Sequence, residues 1–147
     1  MKFSILIPAY NAEIFIAESI MSVMNQTYPN WEMIIVNDGS TDNTLDILRE
    51  YETIDKRIKV INQENKGPLL AREAGIDIST GDYLMFLDAD DYYELNALEL
   101  INNEIKINNP DLLLFGMNYV DANGKLIKTN PYLYGTDSSN GEITKEC

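Results

Sequence analysis

The stretch FSILIPAYNAEIFIAESIMSVMNQTYPNWEMIIVNDGS, residues 3–40, decides the fold because it reads as strand, helix and strand in succession. Phe3–Pro8 is a short continuous apolar run, which is typical of a strand buried on both faces. Ile14–Gln26 repeats apolar residues at helical spacing, and Pro29 lies just beyond, where helices commonly stop. Trp31–Asn37 returns to the strand pattern. A strand joined through a helix to a second strand predicts parallel pairing with a right-handed crossover.

The same alternation continues through the next fifty residues. Three candidate N-caps precede a second helix that runs to about Glu52: Ser40, Thr41 and Asp42. The elements that follow are predicted as a strand over Arg57–Asn62, a helix over Leu69–Ile78 and a strand over Tyr83–Leu87. The order β-α-β-α-β-α-β predicts an α/β fold with a mostly parallel sheet flanked by helices.

Beyond the fourth strand the pattern changes. We expect an amphipathic helix over Leu95–Asn108, a fifth strand over Asp111–Tyr119 and a hairpin-type turn at Asn123-Gly124. The remaining residues are polar and rich in turn formers. The sequence therefore predicts one ligand-binding domain over residues 1–120, followed by a hairpin and polar tail over residues 121–147.

Composition narrows the possible functions. With 11 Lys and Arg against 24 Asp and Glu, the net charge is −13, which argues against nucleic acid as a partner. The absence of histidine and the presence of one cysteine exclude Ser-His and Cys-His nucleophiles and zinc sites built from these residues in this chain. No apolar run reaches the roughly 18 residues of a membrane span, and no signal peptide is evident, so we expect a cytoplasmic protein. A chain this acidic can bind a small anion through a divalent cation.

Polar clusters follow three of the predicted strands. Ligands of open parallel sheets bind beyond the carboxyl ends of the strands, so these clusters are expected at one edge of the sheet. The clusters are Pro8-Ala9-Tyr10-Asn11, Asn37-Asp38-Gly39-Ser40 and Asp88-Ala89-Asp90-Asp91.

The acidic cluster is a candidate cation site. On an extended chain, Asp88 and Asp90 point the same way, about 6.6 Å apart, whereas Asp91 points elsewhere. The alternative is a solvated acidic loop, but carboxylates crowded at the end of a buried strand need a cation or hydrogen bonds to relieve their repulsion. An EF-hand starting at Asp88 fails because Tyr93 stands where glycine is needed, and the Walker-type phosphate loop is absent.

Three further residues have both a structural and a functional interpretation. Asp38 can cap a turn, but Ser40, Thr41 and Asp42 are better placed to do so, which leaves Asp38 free to accept hydrogen bonds from a ligand. Tyr10 is either packed at the rim or a flat ring that stacks on a nucleobase. Arg72 forms either a surface salt bridge or a contact to a phosphate or base oxygen, a role for which Lys66 is a weaker candidate.

Four motifs in order resemble the N-terminal half of glycosyltransferase family 2 enzymes, which have the GT-A fold. These are FSILIPAYN, IIVNDGSTDNT, NKGPLLAREAGI and GDYLMFLDADD, and the resemblance covers about Lys2–Tyr93 and more weakly reaches Tyr119. It implies a Rossmann-like sheet and an inverting enzyme that uses a nucleotide-diphosphate sugar with Mn or Mg. It favours UDP as the nucleotide. One departure is Glu73, where the family often has asparagine.

The resemblance also implies roles for individual residues. Asp88-Ala89-Asp90 matches the DxD motif, in which Asp90 would ligate the metal and Asp88 would contact the metal or the ribose. Asp38 would bind the nucleobase, and Arg72 would face the base or the diphosphate. The base pocket would be lined by Pro8, Ala9 and Tyr10.

The catalytic base of the family lies in its C-terminal half, so we expect it beyond Cys147 and assign none here. This suggests a truncated member, whose isolated chain binds nucleotide and metal without transferring sugar. A non-catalytic nucleotide-binding module or inactive fragment is the alternative. A sugar nucleotidyltransferase would instead require a Gly-rich loop with arginine after the first strand. The residues at that place here are Pro8-Ala9-Tyr10-Asn11, which contain neither glycine nor arginine. The acceptor and the sugar stay open.

Overall fold

Strands and helices alternate along the first part of the chain in the computed structural model, which describes residues 1–121 and 124–130. The first four strands are β1 (Phe3–Ala9), β2 (Trp31–Asp38), β3 (Ile58–Gln63) and β4 (Tyr83–Phe86). They form one sheet in the order β3-β2-β1-β4, and each neighbouring pair is parallel. The α/β fold predicted from the sequence is therefore confirmed, and the carboxyl ends of these strands share one edge.

The helices begin and end close to the predicted positions. They are α1 (Ile16–Met24), α2 (Thr44–Ile54), α3 (Pro68–Asp77) and α4 (Ala97–Asn108). Helix α1 begins two residues later than predicted because the Ala12 carbonyl accepts from the N–H groups of both Phe15 and Ile16, which closes a separate turn. Helix α4 begins at Ala97 instead of Leu95. Shifts of this size are usual at helix ends.

The central strands are buried on both faces, which is why their sequences are continuous apolar runs. On one face, Leu6 of β1 packs with Ile34 and Val36 of β2 and with Ala71 of α3. Helix α3 lies close to the sheet at Gly75, where an added Cβ atom would stand 3.2 Å from Leu6 Cδ2. This packing places the amino end of α3 beside the carboxyl edge of the sheet.

Strand β4 is an edge strand, and among the described residues it pairs only with β1. Its side chains differ in exposure: Met85 is buried, whereas Leu84 and Phe86 are 41% and 48% exposed. The sheet therefore presents apolar side chains along the strand that leads into the acidic cluster.

A second compact unit begins at Ile105, after the unit formed by Met1–Glu104. It contains an antiparallel hairpin of β5 (Met117–Val120) and β6 (Leu126–Asn130). The predicted hairpin is confirmed, and Gly124 adopts φ +75° in its turn, whereas Asn123 and the tail over residues 131–147 lie outside the described residues. The domain boundary at residue 120 stays a prediction.

The prediction that the fifth strand starts at Asp111 is wrong, because β5 begins only at Met117. The run Leu112–Phe115 is apolar enough for a strand, but β6 pairs only with Met117–Val120 among the described residues. Apolar composition alone does not fix where a strand begins, because pairing with other strands also decides it. Of the helices within the described residues, none is both long and apolar enough to cross a membrane.

A buried ionic network fastens the amino ends of the strands. Glu32 of β2 is 3% exposed, and its Oε1 accepts from Ser4 Oγ at 2.7 Å and from the Thr80 N–H at 2.6 Å. Its Oε2 lies 2.9 Å from Lys59 Nζ and 3.0 Å from Lys2 Nζ. Burial alone would raise the pKa of this carboxyl, but the hydrogen bonds from the four surrounding residues outweigh it and hold the pKa well below its usual range. The network joins β1, β2 and β3 to the turn that starts β4.

Replacing Glu32 with glutamine should lower the free energy of unfolding by about 1–3 kcal/mol, because the lysines lose a charged partner and buried polar groups lose an acceptor. A carboxyl whose pKa is depressed by folding stabilises the fold above its unfolded pKa, near 4.5. That contribution is lost as the pH falls through the folded pKa. Urea unfolding between pH 7 and pH 3 measures both effects.

The matched control is Glu50→Gln, which removes an exposed carboxylate on α2 and should change stability by less than about 0.5 kcal/mol. The Glu32→Gln variant should also show a shallower loss of stability below pH 4.5. Equal stability and equal pH dependence of the two variants would contradict the role assigned to Glu32.

Candidate functional site

A cavity of about 600 Å³ opens at the carboxyl edge of the sheet. The structure brings all the site residues predicted from the sequence together around it: Pro8, Ala9, Tyr10, Asp38, Arg72, Asp88, Ala89 and Asp90. Lys66 is not among the lining residues, although its backbone takes part in the loop described below. The placement agrees with the prediction, while the role of each residue towards a ligand stays a prediction.

Six lining residues were not predicted: Asn11, Ala12, Phe15, Asn65, Gly67 and Pro68. Five of them lie in the loops after β1 and β3, so a rule that includes the whole loop after each strand would have found them, whereas Pro68 is the first residue of α3. Phe15 is the last residue of the loop after β1. Its ring is 50% exposed, as the Tyr10 ring is at 52%, so the cavity has two aromatic side chains accessible to a ligand.

The loop that carries Tyr10 is held by hydrogen bonds to the loop after β2. The Asn11 N–H donates to Ser40 Oγ at 3.0 Å, and Asn11 Oδ1 accepts from the Thr41 N–H at 2.8 Å. Asn11 has φ +49°, a conformation that asparagine tolerates better than most residues. Of the three predicted caps, Asp42 accepts from the N–H of Thr44, the first residue of α2. Ser40 and Thr41 instead position the Tyr10 loop.

The acidic cluster forms a tight turn instead of an extended segment. The Asp91 N–H donates to the Asp88 carbonyl at 3.0 Å, and β4 has already ended at Phe86. The prediction of an extended chain at Asp88 and Asp90 is therefore wrong, although both residues line the same cavity. Arg72 Nη2 lies 2.6 Å from Asp88 Oδ1, so the salt bridge considered for Arg72 is present inside the cavity.

Like charges crowd this turn, as the sequence predicted. Partial burial raises the pKa of the Asp91 carboxyl, and the charges of Asp90 and Asp88 raise it further. Burial also raises the pKa of Tyr93, with smaller contributions from Asp91 and Asp88, and its hydroxyl donates to the Phe86 carbonyl at 3.0 Å. Arg72 pairs with Asp88, but the Asp88 charge still adds to the repulsion felt by Asp91.

Asp38 is not free, contrary to the sequence-based expectation. Its Oδ1 accepts from Gln63 Nε2 at 2.8 Å and from the Lys66 N–H at 2.9 Å, and its Oδ2 accepts from the Gly67 N–H at 2.8 Å. Burial opposes ionisation, but these three hydrogen bonds lower the pKa of the carboxyl below its usual range. A carboxylate has about four acceptor positions, so about one remains for a ligand.

The residue after Asp38 must be glycine for this loop to close. Gly39 has φ +70°, and a Cβ atom there would lie 2.6 Å from the backbone nitrogen of Asn65. A side chain at this position would push the Asn65 segment away from the sheet. Gly39 and Asp38 together set the wall of the cavity formed by the loop between β3 and α3.

The acidic turn fits a divalent cation only if a ligand completes the coordination. No group of three or more acidic, histidine or cysteine side chains within residues 1–121 and 124–130 is arranged to hold a metal. Mg²⁺ is usually bound through one or two carboxylates together with substrate phosphates and water. Asp88 and Asp90 at the cavity match that type of site, in which the protein supplies few ligands.

The sequence matches a family model described as glycosyl transferase family 2 over residues 4–142. Among curated proteins, the Bacillus subtilis glycosyltransferase TuaG, named for teichuronic acid biosynthesis, is 46% identical over 97 residues. That match covers 65% of this chain and 38% of TuaG. The poly(ribitol-phosphate) beta-glucosyltransferase of Bacillus spizizenii is 38% identical over 146 residues, which covers 94% of this chain and 23% of that protein.

Among solved structures, S. aureus TarS 1–349 in complex with UDP-GlcNAc superposes with a TM-score of 0.78 at 33% identity. The match covers 83% of this chain and 36% of the TarS chain. The matched part of this chain therefore covers well under half the length of each of these three proteins.

Replacing Asp38 with alanine should release the loop between β3 and α3, because the Lys66 and Gly67 N–H groups lose their acceptors. We expect a loss of about 1–3 kcal/mol in the free energy of unfolding. Amide exchange at Lys66 and Gly67, followed by NMR, should become faster than in the wild type. The Asp91 amide, which has a separate acceptor, provides the internal reference.

An Asp38→Asn variant sharpens this test because it keeps one acceptor oxygen and replaces the other with an N–H₂ donor. Either the Lys66 N–H or the Gly67 N–H can then keep its acceptor, but not both. We therefore expect one of these two amides to stay protected from exchange. Unchanged exchange at both amides in the alanine variant would contradict the bracing role of Asp38.

Proposed function

Since the chain belongs to glycosyl transferase family 2, we propose that it provides the donor-binding part of a metal-dependent inverting glycosyltransferase. The donor is a UDP-sugar, and the acceptor is a glycan, a lipid or a related polymer. The observation that carries the proposal is the meeting of the eight predicted residues at one cavity beyond the carboxyl ends of parallel strands. A cytoplasmic location stays a prediction from the sequence.

The uracil is assigned to the side of the cavity lined by Pro8, Ala9 and Tyr10. An exposed aromatic ring provides a face on which a base stacks, and Tyr10 is held in place through the neighbouring Asn11. The free acceptor position of Asp38 can receive the uracil N3–H. TarS, which has a similar fold at 33% identity, was solved with UDP-GlcNAc, and this supports a uridine nucleotide here.

The diphosphate is assigned to the opposite side, between Arg72 and the acidic turn. A guanidinium has five N–H donors, and the bond to Asp88 leaves others for phosphate oxygens. Asp90 and Asp88 would hold Mn²⁺ or Mg²⁺ together with the diphosphate. When bound, such a cation neutralises the negative charge that grows on a diphosphate leaving group.

The acceptor proposal rests on the relatives. One is named for teichuronic acid biosynthesis and one for glucosylation of poly(ribitol-phosphate), and the second name supports a polymer as the acceptor. Inversion requires a base that deprotonates the acceptor hydroxyl, and we assign no residue of this chain to that role. Nucleotide and metal binding by the chain are therefore the properties to test first.

Titration calorimetry of the chain with UDP, with and without Mn²⁺, tests the proposal. We expect Mn²⁺ to tighten UDP binding in the wild type, and we expect this gain to disappear in Asp90→Ala because the variant lacks a metal ligand. Binding of UDP without metal should be nearly unchanged in that variant.

The matched control is Asp46→Ala, which removes the same charge from an exposed position on α2. It should retain the gain from Mn²⁺. Wild-type binding that Mn²⁺ does not affect, or an equal loss in both variants, would overturn the metal site. Tighter binding of GDP than of UDP would overturn the assigned base.

The base-stacking role of Tyr10 has a separate test. Tyr10→Ala should weaken UDP binding by about 1–3 kcal/mol, or about 5- to 150-fold in Kd, both with and without Mn²⁺. Tyr10→Phe keeps the aromatic face and should bind like the wild type. Equal weakening in both variants would show that the hydroxyl, not the ring, carries the contact.

A further inference from the structure

Helix α1 contacts the acidic turn through a buried serine. Ser19 is 1% exposed, and its Oγ lies 2.7 Å from the carbonyl oxygen of Ala89 and 2.7 Å from that of Asp91. A serine inside a helix often bonds to the carbonyl four residues earlier in its own helix. Ser19 instead donates its proton to a loop that is 70 residues away in the sequence.

These two carbonyl groups flank Asp90, the residue proposed to hold the cation. The Asp90 carboxylate is exposed at the cavity, and among the described residues no hydrogen bond or ion pair holds it. Asp88, by contrast, is fixed by its pair with Arg72. The direction of the Asp90 side chain therefore depends on its backbone. The Ser19 hydroxyl holds that backbone by sharing its single proton between the carbonyl groups of Ala89 and Asp91.

Ser22 of α1 and Gln26, which lies just beyond the end of that helix, hold the segment that follows the turn. Ser22 Oγ accepts from the Tyr93 N–H at 3.1 Å, and Gln26 Nε2 donates to the Glu94 carbonyl at 2.7 Å. Gln26 Oε1 also accepts from the Leu98 N–H at 3.0 Å. Of these three residues, Ser19 is the one that contacts carbonyl groups of the residues on either side of Asp90.

We propose that Ser19 is a positioning residue of the donor site, whose hydroxyl fixes the turn so that Asp90 presents its carboxylate to a cation shared with the donor diphosphate. The inference rests on the proposed function, because it assumes that Asp90 binds this cation. Ser19 itself contacts neither the cation nor the donor. Its effect is confined to the part of donor binding that depends on metal.

The test compares Ser19→Ala with Ser4→Ala. Both substitutions remove one buried serine hydroxyl, but Ser4 bonds to Glu32 at the opposite end of the sheet. UDP affinity is measured with and without Mn²⁺, and the ratio of the two Kd values reports the metal-dependent gain. Residues that orient metal ligands typically change metal affinity by about 10- to 100-fold when replaced.

In Ser19→Ala the gain from Mn²⁺ should fall by about tenfold or more, while the Kd for UDP without metal stays within about twofold. Ser4→Ala should lower stability but keep the wild-type gain. In the metal-free protein, amide exchange over residues 88–91 should rise in Ser19→Ala and not in Ser4→Ala.

If Mn²⁺ tightens UDP binding in Ser19→Ala as much as in the wild type, the positioning role is overturned. The same holds if Ser19→Ala and Ser4→Ala lose this effect equally. In both cases the proposed function still stands. A wild-type chain whose UDP binding does not respond to Mn²⁺ would overturn the metal site and this inference together. The wild-type titration thus separates the two failures.

Discussion

Backbone pairing of β1 with a parallel strand on each side is the constraint on which the site depends. Because β2 and β4 both run in the direction of β1, the segments that follow the three strands emerge at one edge. Tyr10, Asp38 and Asp88 are far apart in the sequence, yet they line the same cavity. An antiparallel neighbour would have sent one of these segments to the opposite end of the sheet. The Glu32 network supports the arrangement from the other end, where it ties the start of β4 to the sheet.

The loops of the site are ordered by side chains that bond to backbone groups of other loops. Asp38 holds the segment before α3, Asn11 joins the loops after β1 and β2, and Ser19 holds the acidic turn. Such bonds give a loop a fixed shape without the ladder of a strand or helix, and they satisfy backbone groups of the loops. Asp38 and Asn11 line the cavity as well as ordering its loops, whereas Ser19 orders the acidic turn from outside the cavity lining.

Much of this architecture could be predicted because it depends on local pattern. Continuous apolar runs marked β1 and β2, helical spacing marked the helices between them, and parallel topology placed the strand ends together. The prediction failed where contacts between distant residues decide the outcome. Nothing near Asp38 indicates that Gln63, Lys66 and Gly67 occupy most of its acceptor positions. The turn at Asp88 and the bonds of Ser19 are likewise set by residues from other elements. The fifth strand begins at Met117, although the apolar run starts at Leu112.

The exposed apolar edge at β4 also affects how the chain behaves in solution. Leu84 and Phe86 place partly exposed apolar side chains on the surface of this unit, and exposed apolar surface favours association between chains. The net charge of −13 opposes this, because two such chains repel each other at low ionic strength. Salt screens that repulsion over distances beyond about 8–10 Å at physiological concentrations. The colloidal stability of the chain should therefore decline as salt is added. In this way the negative charge of the chain helps to keep it soluble despite the apolar side chains of β4.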